Sequence, residues 1–151
     1  MQPIKILIIN GPNLNLLGVR EKNVYGSLTL EEINNKVKNF QYGYEVSIDF
    51  FQSNNEGEII TTIGESMYKY SGIIINPAAY SHYSIAILDA IRSVNIPTVE
   101  VHLSNIYKRE EYRRKSVTAE GCIGVITGFG YFGYIMSVNA IINYIIEGSS
   151  F

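Results

Sequence analysis

Ile4-Lys5-Ile6-Leu7-Ile8-Ile9-Asn10-Gly11-Pro12-Asn13 is an apolar run that stops abruptly at turn-forming residues. Such a run reads as a strand buried on both faces, at the centre of a parallel sheet. The connection after it continues to Tyr25-Gly26 before the next helical pattern begins. Most connections take roughly four to six residues, and longer ones are often lids or binding loops. This one holds Asn13, a donor and an acceptor, the fixed charge of Arg20 and the phenol of Tyr25. Gly18 and Gly26 flank the charged part as candidate hinges. Taken alone, the segment reads as a mobile surface loop; the remaining strand ends favour a lid.

Outward from this stretch, strands and helices alternate. Thr29 and Glu32 have capping-box spacing, and Leu30, Ile33, Val37 and Phe40 continue a helix that Gly43 ends. Residues 45–52 read as a second strand. Ile59, Ile63, Met67 and Tyr70 form one stripe of the next helix. Gly72 to Asn76 is a third, continuously apolar strand broken by Pro77, and a helix carrying Ile85, Leu88 and Ile91 follows. Residues 98–102 and 123–127 read as strands four and five. Between them, Lys108 to Lys115 reads as about two helical turns, and residues 131–147 make a long apolar final helix. The alternation implies right-handed βαβ units. The expected fold is α/β: a flavodoxin-like three-layer sandwich with a five-stranded parallel sheet of order 2-1-3-4-5. Its ligands bind beyond the carboxyl ends of the strands, at the switch between strands 1 and 3.

Composition narrows the class. A chain of 151 residues without repeats or charge blocks predicts one domain, 1–151. At 46% hydrophobic and 17% charged it is a packed protein rather than a disordered one. A net charge of -2 gives no electrostatic case for a nucleic-acid partner. The lone Cys122 excludes an internal disulfide and a Cys-based zinc site, and suits a reducing compartment. No apolar run approaches the roughly 20 residues of a membrane span. The first strand also starts too early to leave room for a signal peptide, so a soluble cytoplasmic protein is expected.

Three apolar strands end in polar residues, Asn10, Asn76 and His102, where the fold places its ligand. Both histidines, His82 and His102, lie at or just past strand ends. In Glu100-Val101-His102 the carboxylate and imidazole share a strand face. A carboxylate accepting from one ring nitrogen fixes the tautomer and leaves the other to work as an acid, although a buried structural pair has the same spacing. Metal ligation by the histidines with Glu100 or Asp89 lacks any zinc-site spacing. Gly128-Phe129-Gly130-Tyr131-Phe132-Gly133 matches a dinucleotide fingerprint, but the strand that must follow it is missing, so close packing explains the glycines better. Arg109 and Arg113, four apart, could either one grip a carboxylate.

Four blocks carry a resemblance: Asn10-Gly11-Pro12-Asn13-Leu14-Asn15, Arg20-Glu21 with Tyr25-Gly26, Asn76-Pro77 with His82, and Glu100-Val101-His102-Leu103-Ser104-Asn105 followed by Arg109-Glu110-Glu111 and Arg113. Together, and in this order, they resemble the type II 3-dehydroquinate dehydratases over nearly the whole chain. The resemblance implies a hydro-lyase of the shikimate pathway, leading to chorismate and aromatic amino acids, or of quinate breakdown. It implies anti elimination of water from 3-dehydroquinate through an enolate, with no metal and no cofactor. Tyr25 would be the base at C2, with Arg20 holding it as phenolate, and Asn13 would position a water against the enolate oxygen. His102, oriented by Glu100, would protonate the departing C1 hydroxyl. Asn76, His82, Arg113 and the backbone amides of Leu103 and Ser104 would bind substrate. Asp89 would come from a neighbouring subunit, in a dodecamer of four trimers.

The chain departs from the family pattern at Ala78, where glycine is usual, and at Ser81, Tyr83 and Tyr107. The competing class is a flavodoxin-like binding or signalling module. A flavodoxin would need a hydroxyl-rich phosphate loop where Gly11-Pro12-Asn13-Leu14 stands, and a receiver an Asp where Asn76 stands. A relative that binds without turnover is disfavoured by the presence of both Tyr25 and His102.

Overall fold

The computed structural model describes residues 2–19 and 21–148. Strands β1 (Ile4–Asn10), β2 (Val46–Gln52), β3 (Gly72–Asn76), β4 (Thr98–His102) and β5 (Gly124–Thr127) form one sheet in the order β2-β1-β3-β4-β5. Every pairing is parallel. The order is the one that the alternation of elements predicts.

The apolar run of β1 is explained by its two covered faces. Ile4, Ile6 and Ile8 belong to a core shared with helices α2 (Leu30–Lys38) and α5 (Phe132–Glu147). Leu7 and Ile9 belong to the opposite core, against α3 (Glu56–Glu65) and α4 (Ile85–Val94). Alternation along the strand thus feeds two layers, and each buried Ile contributes about 1.5–3 kcal/mol. A short helix, α1 (Lys22–Tyr25), lies in the long connection after β1. That connection is only partly a loop. Leu14 and Leu17 are buried in the core, and Gly18, at φ +89°, lies against the backbone of Ser27 and Thr29. The loop that reaches Tyr25 therefore closes at its base.

The caps follow the sequence. Thr29 accepts from the Glu32 amide, Asn55 from Glu58 and Ser84 from Ile87. Several boundaries move. Helix α2 ends at Lys38, before Phe40 and Gly43, and Phe40 sits edge-on to Phe132. Met67 and Tyr70 lie past the end of α3. Ile85 is exposed at the start of α4, where Ile87 takes the buried place.

The largest correction concerns residues 108–115. Two separate 3-10 turns, Ile106–Lys108 and Glu111–Arg113, replace the expected pair of helical turns. The backbone is extended at Arg109, and the Arg109 carbonyl accepts from Arg114 Nε instead of a helical amide. Two of the three glycines of 128–133 pack as expected, a Cβ on Gly128 meeting Asn105 and one on Gly133 meeting Val101, whereas Gly130 faces open space and has a left-handed backbone at φ +57°. No helix among the described residues is long and apolar enough to cross a membrane.

Candidate active site

A cavity of about 170 Å³ opens beyond the carboxyl ends of β1, β3 and β4. Asn13, Tyr25, Asn76, His82, His102, Leu103, Ser104 and Arg113 all line it. These residues come from four separate stretches of sequence, brought together because parallel strands end on the same edge. Glu100 stands behind His102. Asp89 lies on the exposed face of α4 and does not line this cavity. Arg20 lies outside the described residues.

Asn76 lines the cavity, and it is linked to two further buried polar side chains, Asn10 and Tyr134. Asn10 and Asn76 are adjacent at the ends of β1 and β3. The Tyr134 hydroxyl, carried by α5 and fully buried, donates to Asn10 Oδ1 and accepts from Asn76 Nδ2 at 3.0 Å. Asn76 Oδ1 in turn accepts from the Ala78 amide at 3.1 Å. Burial pushes the Tyr134 phenol well above its ordinary value, so it stays a neutral donor.

Ala78 has φ +52° and lines the cavity. The left-handed backbone here is one that glycine adopts without the steric cost alanine bears. Tyr83 and Tyr107, two other departures, are exposed and do not line the cavity.

Asn13 also has a left-handed backbone, and its amide donates to Asn54 Oδ1 at 2.9 Å. Gln52 Nε2 donates to the Gly11 carbonyl at 3.1 Å, and the Gly11 amide to the Asn76 carbonyl at 2.8 Å. The turn after β1 is thereby fixed between the ends of β2 and β3.

His102 Nε2 lies 2.8 Å from Glu100 Oε2, and both residues are buried. Ser116 donates to Oε2 at 2.6 Å and Thr118 to Oε1. Burial raises the Glu100 pKa, but the interactions with His102, Ser116 and Thr118 outweigh it and hold the carboxyl below its ordinary value. An ionised Glu100 only accepts, so His102 carries its proton on Nε2 in this bond. His82 Nδ1 lies 2.8 Å from the Lys115 carbonyl, also an acceptor only, so its proton is on Nδ1. The two rings therefore present different nitrogens, Nδ1 of His102 and Nε2 of His82.

Arg109 is the residue whose place was not foreseen. Its Nη1 donates to the Tyr25 hydroxyl at 2.7 Å, and its guanidinium carbon stands 5.2 Å from the ring centre. Its signal in the sequence was only an arginine in a charged run, equivalent to Arg113. Arg113 instead pairs with Glu110 at 2.8 Å while still lining the cavity. Among the described residues no group of three or more His, Cys, Asp or Glu side chains lies together as a metal site would require. A phenol held by a guanidinium and an imidazole held by a carboxylate thus face one small polar cavity. That arrangement can take a proton at one place and give one at another.

Comparison with known proteins places this geometry. Residues 4–142 match the family described as Dehydroquinase class II. A Clostridium botulinum (strain Hall) protein named 3-dehydroquinate dehydratase is 67% identical over 142 residues, 94% of this chain and 97% of that protein. A Clostridium perfringens protein of the same name is 58% identical, over 94% of this chain and 98% of its own length. The crystal structure of a type II dehydroquinase from Butyrivibrio crossotus superposes with a TM-score of 0.89 at 48% identity, covering 92% of this chain and 97% of that one.

Proposed function

The chain belongs to the class II dehydroquinase family, and from that membership we infer the chemistry of its cavity. The protein is a hydro-lyase of the shikimate pathway, a 3-dehydroquinate dehydratase that removes water from 3-dehydroquinate to give 3-dehydroshikimate. The assignment of roles within the cavity is our proposal. The observation that carries it is the pairing of Tyr25 with Arg109 and of His102 with Glu100 around one space.

Tyr25, as phenolate, removes a proton from C2, and the electron pair moves into an enolate. Arg109 supports the phenolate by direct donation, and Arg20, from the same loop, adds a second charge. Asn13 positions a water against the enolate oxygen. The enolate collapses to form the C1–C2 double bond, and the C1 hydroxyl leaves with a proton from His102 as water. The proton gained by Tyr25 and the one lost by His102 then re-equilibrate through solvent. His102 gives its proton from Nδ1 as the imidazolium, which the ionised Glu100 stabilises by accepting from Nε2–H. Asn76, His82, Arg113 and the Leu103 and Ser104 amides hold the hydroxyls and carboxylate of the substrate. The elimination uses side chains alone.

The whole chain, 1–151, serves as one catalytic domain in this proposal. Asp89, exposed on α4, completes the site of a neighbouring subunit in a dodecamer of four trimers, and the protein works in the cytoplasm. The direct test adds 3-dehydroquinate to the pure protein and follows dehydroshikimate absorbance. A steady rise is expected. No rise from a folded, fully assembled sample would overturn the reading.

A further inference from the structure

Glu100 and His102 point to the face of the sheet opposite Val99 and Val101, whose side chains join the α2–α5 core. On that side a strap, residues 115–118, crosses the end of β4. We propose that Ser116 and Thr118 are positioning residues for the acid: their hydroxyls, one on each oxygen of Glu100, fix the carboxylate that holds His102. The inference rests on the proposed role of His102 and deepens it.

The geometry leaves little freedom. Ser116 Oγ donates to Glu100 Oε2 at 2.6 Å, and Thr118 Oγ1 donates to Oε1. Each hydroxyl has one proton, and both protons are directed to Glu100, so the 3.2 Å approach between the two hydroxyls is a contact only. Ser116 Oγ is itself pinned by the Ala119 amide at 3.1 Å. The strap is held in turn by the Val117 amide on the Ser81 carbonyl at 2.8 Å. The same strap receives His82 Nδ1 on the Lys115 carbonyl. Four consecutive residues thus orient both histidines of the chain.

The buried carboxylate receives one donor from His102 and two more from the strap. Its cross-strand neighbours are Ile75 on β3 and Val125 on β5. The titratable groups facing it are His102 from its own strand and the Cys122 thiol beyond the strap, which burial and Glu100 itself keep protonated. A carboxylate this deeply buried is held ionised by its donors, and it loses that state as donors are removed. A protonated Glu100 is a weaker acceptor for Nε2–H, and the tautomer of His102 is then no longer fixed.

The experiment labels the glutamate carboxyl carbons of the full-length protein and follows the Glu100 resonance against pH, assigned with Glu100→Gln. Thr118→Val and Ser116→Ala are each expected to raise its ionisation midpoint by about one pH unit. The pH below which kcat falls should rise by the same amount, with KM changed by less than about twofold. Thr118→Ser restores the hydroxyl and is expected to return both values to those of the natural protein. A midpoint that stays put in both Thr118→Val and Ser116→Ala overturns the inference. So does a midpoint that moves as far in Thr118→Ser as in Thr118→Val, because packing would then be the cause. The carboxyl titration uses no substrate, so it judges the strap even if the natural protein leaves 3-dehydroquinate unchanged, which would sink the functional reading instead.

Discussion

Arg109 reaches back to Tyr25, 84 residues earlier in the chain, and donates to its hydroxyl at 2.7 Å. A base made from a phenol needs a cation beside its oxygen, because ionising an ordinary tyrosine at pH 7 costs about 4 kcal/mol. Tyr25→Phe keeps the ring and removes the oxygen. Turnover should fall by at least about a hundredfold while a substrate analogue still binds, measured by kinetics and calorimetry. Arg109→Ala and Arg20→Ala separate the two cations. The variant that loses support for the phenolate should have kcat lower by about a hundredfold with KM little changed. If Arg109→Ala raises KM and leaves kcat unchanged, Arg109 serves the substrate instead of the base.

Gly11 is closed in by backbone. A Cβ there would stand 2.6 Å from the Pro77 carbonyl oxygen and 2.8 Å from its carbon, atoms that cannot swing aside. Gly11→Ala should push the turn carrying Asn13 off β3 and break the Gly11 amide bond to Asn76. A loss of about 2 kcal/mol in denaturant unfolding is expected, with a marked fall in kcat.

Tyr134 ties Asn10 to Asn76, and Asn76 lines the cavity. Tyr134→Phe takes the hydroxyl partner from Asn10 Oδ1 and Asn76 Nδ2, while Asn76 Oδ1 keeps the Ala78 amide, so about 1–3 kcal/mol of stability should go and KM should rise. Burial also gives an alkaline signature, since Tyr134 and Tyr42 both ionise well above their ordinary value of 10.0 in the fold. A group whose folded pKa is raised contributes stability that is full below its unfolded pKa and is lost as pH rises above it. Denaturation midpoints should therefore hold up to about pH 10 and fall beyond it, less steeply in Tyr134→Phe. An equal slope in the variant would assign the alkaline loss to other groups.

Among the described residues no lysine lines the cavity, so none of them offers the amine that a Schiff base with the substrate ketone needs. Activity should survive borohydride added with substrate, and strong chelators as well. A covalent adduct with loss of activity, or a reversible loss on chelation, would refute the side-chain-only elimination.

Assembly is read through Asp89. If it completes a neighbour's site, light scattering and activity should fall together as the oligomer is dissociated. Asp89→Asn should then weaken substrate binding without disturbing the fold of its own subunit. A fully active monomer would leave Asp89 as an ordinary exposed residue of α4.

The sequence by itself determined the elements that depend on local pattern. Apolar runs ending at Asn10, Asn76 and His102 gave strands covered on both faces, and their alternation with helices gave the sheet order. The i, i+2 spacing of Glu100 and His102 carried through to a hydrogen bond because a strand imposes that geometry on any sequence. Only the tertiary structure decided what meets across the chain. Arg109 and Arg113 look alike in a charged run, but the extended backbone at Arg109 sends one to Tyr25, while Arg113 pairs with Glu110. Ser116, Thr118 and Tyr134 carry no pattern of their own. They matter because folding buries a carboxylate and two amides that must then find partners, and distance along the chain says nothing about which hydroxyl will be there.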